Sequence, residues 1–416
     1  MKLFLLTNPE YAGDNNQLQG ISMTLAIPAE RRSVPESEFR MEQLEEGDIV
    51  LLCGDHGLGF IASIKKSQPK AHVIWSGHQW FSDFNHLTVW PDVLAIPKAV
   101  YASKANLIPS GVVVVPTDGV AHCINDASIL DSMAKFKGLL PSDPSFTTHV
   151  GIVIAGDAPT PEKIMKYFDA EDAELQAMHI VRHMKDNGLG HKNTALLIMD
   201  GPRTDKHDPE AVCAVGMPYA PDPHRSGHVG ASARAFINVL EKEFPGQLFF
   251  NNFQFGEESA YKPAMHSVIQ TALKKTSGFE GWNAVWYVPT ESVTMLAESA
   301  FLSGKGIPVI AYCQKSTNES HMEGVSDARQ SGQITLWNEP LPAHVKCAGA
   351  RPAAEAIAEA IQAFISVQEK KTVFSSDAHS LTALGTFAFQ SPSAVDSTMT
   401  PTQTEQNHPS TKKSGF

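Results

Sequence analysis

The stretch from Trp286 to Tyr312 constrains the fold more than any other part of this chain. Trp286-Tyr287-Val288-Pro289 is an apolar run, Thr290-Glu291-Ser292 a hydroxyl-rich turn, and Val293 to Ala300 has helical character. After Gly304 comes a second apolar run, Ile307-Pro308-Val309-Ile310-Ala311-Tyr312. Strand, turn, helix and strand in that order make one βαβ unit, whose two strands run parallel. The turn also suits phosphate. Thr290, Ser292 and Thr294 offer hydroxyl donors, the first free N–H groups of the helix point the same way, and the helix dipole favours an anion there. Glu298 lies about one turn further in, within reach of a ribose or sugar hydroxyl if the helix starts near Ser292. The plainer alternative is that Ser292 only caps the helix and Glu298 is solvated.

Apolar runs alternate with helical patterns through most of the chain, the signature of α/β domains with parallel sheets. In the first half, strands are predicted at 2–6, 48–53, 71–75, 92–96 and 111–115, with helices from about Asn16 to Leu25 and from about Phe60 to Lys66. A second set begins at Thr148-His149-Val150-Gly151-Ile152-Val153-Ile154-Ala155-Gly156 and continues at 194–199, 247–250, 284–288, 307–312 and 334–337. Leu140-Pro141-Ser142-Asp143-Pro144-Ser145 reads as a linker. The expected plan is two Rossmann-like parallel-sheet domains facing a cleft, residues 1–145 and 146–350. Ala354, Ile357, Ala358, Ile361 and Phe364 predict an amphipathic helix over 353–370, within a bridging segment 351–371 that crosses back. Residues 372–416, dominated by Ser, Thr, Pro and Gln, are expected to be disordered, with Leu381 to Phe389 open as a short docking segment.

With 416 residues the chain has room for these two domains and a tail. A formal charge of -12 argues against broad affinity for nucleic acid or an anionic membrane surface. Cysteines 53, 123, 213, 313 and 347 never form a Cys-x-x-Cys pair, so neither a disulfide framework nor a thiolate zinc site is suggested, and a reducing, cytoplasmic compartment fits. Lys2-Leu3-Phe4-Leu5-Leu6-Thr7 is too short for a signal sequence and reads as a first strand. No apolar run is long enough to span a bilayer.

Three further groups carry possible chemistry. Gly13, Asp14, Asn16 and Gln17 follow strand one as a glycine-bearing polar turn at a helix start, where backbone and amides can approach a bound molecule; a simple helix cap is the alternative. Gly57-Leu58-Gly59-Phe60-Ile61-Ala62 matches the dinucleotide pattern G-x-G-x-x-A, but the next strand ends in Ser76-Gly77-His78 with no acid for the ribose. These glycines therefore read as a tight strand-to-helix turn at the cleft, and an NAD-dependent enzyme rests on this match alone. His56, His78 and His122 each follow a predicted strand and can face the cleft as general bases, or serve only as surface hydrogen-bonding groups. His224 and His228 are spaced i, i+4, but Pro221, Pro223 and Gly227 break any helix between them. With His207 and Asp208 they read as a solvated loop, and no metal is expected.

Several of these patterns coincide in one resemblance. Glu291-Ser292-Val293-Thr294-Met295-Leu296-Ala297-Glu298-Ser299-Ala300, with Gly304 and Pro308, resembles the D-S-x-S-M-x-x-E-A…G-x-P-V pattern of the mitochondrial-fission protein family of the elongated-mitochondria type and its bacterial relatives. Gly13, Asn16 and Gln17 are similar to its G-x-x-N-Q opening, Gly119-Val120-Ala121-His122 to its G-x-x-H segment, and Arg203-Thr204 to its S-R-R-T motif. Glu291 stands for the usual aspartate, Pro202 for the first arginine, and Pro97-Lys98-Ala99-Val100 for a P-E-H-D segment. That family looks like glycosyltransferases of the two-Rossmann GT-B architecture.

The resemblance implies a nucleotide-sugar donor held by the second domain, an acceptor of unspecified kind facing the first, and a final helix packing back across the cleft. On that basis Ser292, Thr294, Thr290 and Arg203 would stabilise the departing diphosphate without a metal, and Glu298 would hold the ribose. His56, His78 or Asp14 would be the base, with Gly13, Asn16, Gln17 and His122 lining the cleft. A non-catalytic binding or regulatory protein that keeps the cleft is the second hypothesis.

Overall fold

The computed structural model describes residues 1–8, 11–25, 27–33, 43–160, 164–205, 229–254, 257–274, 281–345 and 351–381. Two six-stranded, wholly parallel sheets form the framework, joined by helices on both faces.

The first sheet is built from β1 (Leu3–Thr7), α1 (Ala12–Leu25), β2 (Ala29–Ser33), β3 (Ile49–Cys53), α2 (Gly54–Ser67), β4 (His72–Ser76), β5 (Val93–Pro97), α3 (Lys98–Lys104) and β6 (Val113–Thr117), in strand order β2-β1-β3-β4-β5-β6. Its inner strands read as continuous apolar runs because alternate side chains serve opposite faces. Leu3, Leu5, Ile49 and Leu51 pack into one core with α1, while Phe4, Leu6, Val50 and Leu52 pack into another with α2.

The chain then forms α4 (Asp126–Lys135), β7 (Thr148–Val153), the short hairpin β8 (Ala158–Pro159) and β9 (Met165–Lys166), and α5 (Ala170–Asp186). There follow β10 (Thr194–Met199), α6 (Ala231–Glu243), β11 (Leu248–Asn251), α7 (Tyr261–Leu273), β12 (Ala284–Pro289), α8 (Val293–Gly304), β13 (Val309–Tyr312), α9 (Glu319–Gln330) and β14 (Thr335–Leu336). The second sheet runs β11-β10-β7-β12-β13-β14. The same alternation recurs: Val285 and Tyr287 enter one core, Trp286 and Val288 the other, where α4 contributes Ile129.

α10 (Ala353–Leu381) crosses back to the first sheet. Ala353, Ala354, Ile357, Ala358, Ile361 and Ile365 join the core of Leu3, Leu5, Leu18 and Ile21, a cluster that contains no residue of the second sheet. Each buried isoleucine there contributes roughly 1.5–3 kcal/mol of burial. The described chain up to Ser366 is one compact unit, and of the second unit, Val367–Phe416, the end of α10 is described. The helix extends beyond the predicted 353–370; the rest of the predicted tail, Leu381's successors through Phe389 included, lies outside the described residues.

Three elements differ from the sequence reading. Strand β2 was not anticipated, because Glu30-Arg31-Arg32 is a charged, largely exposed sheet edge without the apolar pattern of its neighbours. Helix α1 begins at Ala12, so Gly13 to Gln17 lie on its first turns and not in a preceding turn. Helix α2 begins directly at the end of β3, so Gly57 and Gly59 are helical; the tight turn is at Gly54, whose φ is 69°.

Asp205 adopts φ 57°, and its carboxylate accepts from the N–H groups of Ser232 at 2.7 Å and Ala233 at 3.1 Å, capping α6. A Cβ on Gly230 would lie 2.3 Å from Asp205 Cγ, so only glycine admits this approach.

Candidate functional site

In a parallel sheet the loops at the carboxyl ends of the strands diverge where the strand order reverses, leaving a crevice for ligands. The first sheet reverses between β1 and β3, and the second between β7 and β12. Most of the residues predicted to carry chemistry follow β1, β3 or β12, the strands at these two points; His78, His122 and Arg203 follow β4, β6 and β10.

Beyond β12, Thr290 is fully buried and its hydroxyl is engaged inside the fold, 3.2 Å from the Tyr312 carbonyl and 2.7 Å from Thr317 Oγ1. Glu291 is the hub of this turn. Its Oε1 accepts from the Gly156 N–H at 3.0 Å, its Oε2 accepts from Gln314 Nε2 at 2.6 Å, and Arg203 Nη2 stands 3.7 Å from Oε1. Burial raises the Glu291 pKa against the charge of Arg203 and these hydrogen bonds. Gly156 has no room for a side chain, since a Cβ would lie 2.7 Å from the Arg203 carbonyl carbon. The turn thus carries a buried carboxylate that holds Arg203 beside the start of α8.

Ser292 is extended, and its side chain accepts from the Met295 N–H at 3.4 Å, capping α8. Thr294 is half-buried against α1: a Cβ on Gly13 would lie 3.0 Å from Thr294 Oγ1. One turn on, Glu298 is buried at 8 % exposure and accepts at Oε1 from Asn16 Nδ2 at 3.1 Å. The solvated alternative for Glu298 is therefore not the one observed. Burial pushes its pKa up to about 7, opposed by the Asn16 hydrogen bond and the charge of Lys262.

The first sheet's reversal places Asp14 of α1 beside the start of α2. Asp14 Oδ2 is 3.8 Å from His56 Nδ1, and the His56 ring stacks on Tyr11 with centroids 5.0 Å apart. Burial raises Asp14 to about 7, offset by a hydrogen bond from the Cys53 thiol and reinforced by the Asp55 charge. Burial lowers His56 below its ordinary value, against the charge of Asp55. Gln17, one turn after Asp14, is fully buried, and neither of its side-chain polar atoms has a hydrogen-bond partner.

His78, just beyond β4, reaches toward the second half. Burial takes it down to about 4, with Asp55 raising and Arg203 lowering it. His321 of α9 is brought to about 3 by burial and by the charges of Arg203, His78 and Lys166. Its Nδ1 accepts from the Asn318 N–H at 3.2 Å as part of a capping box. Lys166 is seated nearby, donating to the Thr317 carbonyl at 3.2 Å. His122 is lowered to about 4 by burial and its Nδ1 accepts from the Ile124 N–H at 3.3 Å, while its carbonyl touches α1 at Gly20.

Glu291 as a hub, His321 and Lys166 were not among the residues predicted to line the site. The Asn318-x-x-His321 spacing just after a strand was a usable signal for a helix start at the cleft, since the residue three beyond an N-cap turns back to it. Glycines 57 and 59 lie inside α2, with no atom within 4 Å of a Cβ on Gly59, so they frame no pyrophosphate loop. Among the described residues no three His, Cys, Asp or Glu side chains group as metal ligands, and no helix is long and apolar enough to cross a membrane. His207, Asp208, His224 and His228 lie outside the described residues.

No family model matches the chain, and no curated protein does. Among solved structures it is similar to a trehalose-6-phosphate synthase, OtsA, at 11% identity over 91% of this chain and 98% of that one, with a TM-score of 0.43. It is also similar to a UDP-forming α,α-trehalose-phosphate synthase from Burkholderia xenovorans, at 10% identity over 83% and 70% of the two chains, TM-score 0.37. A third, an E. coli trehalose-6-phosphate protein bound with UDP-2-fluoro glucose, is 10% identical over 87% and 90%, TM-score 0.40.

Proposed function

We propose that this chain is a GT-B-like glycosyltransferase that takes a hexosyl group from a nucleotide-diphosphate sugar without a metal. The observation that carries the reading is the apposition of the two sheet reversals. One is lined by Arg203, His78, His321 and the start of α8, the other by Asp14 and His56, and Asn16 to Glu298 ties them.

In this reading the diphosphate lies against Ser292, Thr294 and the N-terminus of α8, with Arg203 neutralising charge as the bond to the sugar breaks. Glu298 takes a ribose hydroxyl. The His56 imidazole, oriented between Asp14 and Tyr11, removes the acceptor proton, while His78 is better suited to donating toward phosphate because it faces Arg203 and His321. The close seat of Gly13 on Thr294 favours a second reading, a protein of the fission-like type that keeps the cleft and acts by binding.

A panel of uridine and guanosine diphosphate sugars, scored by melting temperature with release of the nucleoside diphosphate followed in the same tubes, tests both. Stabilisation by one donor together with its turnover, each lost in Arg203→Ala, is the expected result. Stabilisation without turnover selects the binding protein, and stabilisation by NAD alone overturns both.

A further inference from the structure

Between the β2 edge of the first sheet and α1 lies a pocket of about 210 Å³, lined by Leu5, Thr7, Asn15, Gln19, Arg31 and Ser33. The strand register explains it. β1 and β2 pair in parallel as Leu5↔Arg31 and Thr7↔Ser33, and alternate residues share a face, so these four side chains stand together on the face that Leu5 turns toward α1. Asn15 and Gln19, one helical turn apart on α1, close the other side. Arg31 is the one charged residue of the six. Its neighbours Glu30 and Arg32 belong to the opposite face and pair with each other, which already guards the sheet edge, whereas Arg31 has no carboxylate partner among the described residues. The Asn15 amide is spent on Asn8, at 2.7 and 3.0 Å, and the Thr7 hydroxyl donates to the Arg32 carbonyl at 3.2 Å. That leaves the Arg31 guanidinium and the Gln19 amide, whose only contact of this kind among the described residues is a 3.9 Å approach to Met23 Sδ.

We propose that this pocket binds a compact organic anion, a carboxylate or phosphate monoester with a hydroxyl beside the charge, at a site distinct from the donor site proposed above. All six lining residues come from β1, α1 and β2, and none from the second sheet. The volume lies below the roughly 300–1,000 Å³ of pockets for drug-sized ligands, so it suits a molecule of a few carbons and not a whole nucleotide sugar. A guanidinium presents a planar fork that matches two oxygens of a carboxylate or phosphate. The Gln19 amide both donates and accepts, as a hydroxyl next to the charge requires. A chain of formal charge -12 does not gather small anions over its whole surface, so binding here is local to Arg31.

The test titrates the full chain, at constant ionic strength and with calorimetric detection, with D-glycerate, sn-glycerol 3-phosphate and glycerol. These carry one small skeleton as carboxylate, phosphate and neutral polyol. The proteins are wild type, Arg31→Gln, Gln19→Ala and, as a control on the opposite face, Arg32→Gln. Saturable binding of at least one of the two anions and none of glycerol is expected, with a roughly tenfold or greater loss of affinity in Arg31→Gln, a smaller loss in Gln19→Ala and no loss in Arg32→Gln. Binding of neither anion, glycerol binding as tight as the anions, or equal losses in Arg31→Gln and Arg32→Gln, as diffuse attraction would give, overturns the proposal. Competition between the bound anion and UDP-glucose overturns it as well, since the two would then share one site. Should Arg31→Gln fail to fold, Gln19→Ala decides: weakened anion binding supports the site, and unchanged binding removes it.

Discussion

Glu298 and Asp14 are buried carboxyl groups whose folded pKa values both lie near 7, above the ordinary 4.5 and 3.8. A carboxyl raised in the folded state adds its full stability below the unfolded value and loses it as pH rises through the folded one. The ligand-free protein should therefore melt progressively lower from about pH 4.5 to about pH 7.5, and Glu298→Gln, which cannot ionise, should flatten part of that slope and melt higher than wild type at pH 8; equal slopes in the two proteins would exclude burial of the charge. At about 1.4 kcal/mol per pKa unit the expected gain is on the order of 3–4 kcal/mol. Nucleotide binding gives the complementary measurement. Glu298→Ala should weaken donor affinity by about 1.5–3 kcal/mol in calorimetric titration, as for a lost hydrogen bond to a charged group. The helical placement of Ser292 and Glu298 was legible in the sequence because it follows from spacing along a helix. Thr290 and Glu291 were not, because Tyr312, Gln314, Thr317 and Gly156 meet them only through the fold.

Two glycines of neighbouring helices should behave oppositely. On α2, Gly59 is exposed and open, so Gly59→Ala should add about 0.5–1 kcal/mol of helix stability in denaturant unfolding and leave nucleotide binding unchanged. A loss of nucleotide binding in that variant would restore the dinucleotide reading. On α1, a Cβ at Gly20 would fall 2.2 Å from the His122 carbonyl oxygen, a backbone atom. Gly20→Ala should cost about 1–3 kcal/mol or more, measured the same way. Periodicity located almost every buried strand to within two residues, since parallel strands are apolar on both faces. It failed at β2, a charged edge, and at the helix starts: α2 follows β3 with no residue between, and α1 begins at Ala12, four residues before the predicted Asn16.

Over the whole molecule, the final helix is an integral part of the first sheet's core. Ile361 is fully buried among Leu3, Leu5 and Ile21, so Ile361→Ala should cost about 2–5 kcal/mol in denaturant unfolding. A loss below 1 kcal/mol would mean that α10 is a peripheral strap. Two α/β layers could be read from alternating strands and helices, but no sequence spacing told which loops of the two sheets would meet. Apposition of the reversal points is set by packing between residues hundreds of positions apart, as with Asn16 and Glu298. The clasp of Asp205 on Ser232 and Ala233, with Gly230 pressed against it, has a different consequence: the first turn of α6 is anchored to a residue that follows β10, so that helix and that strand are held as one piece.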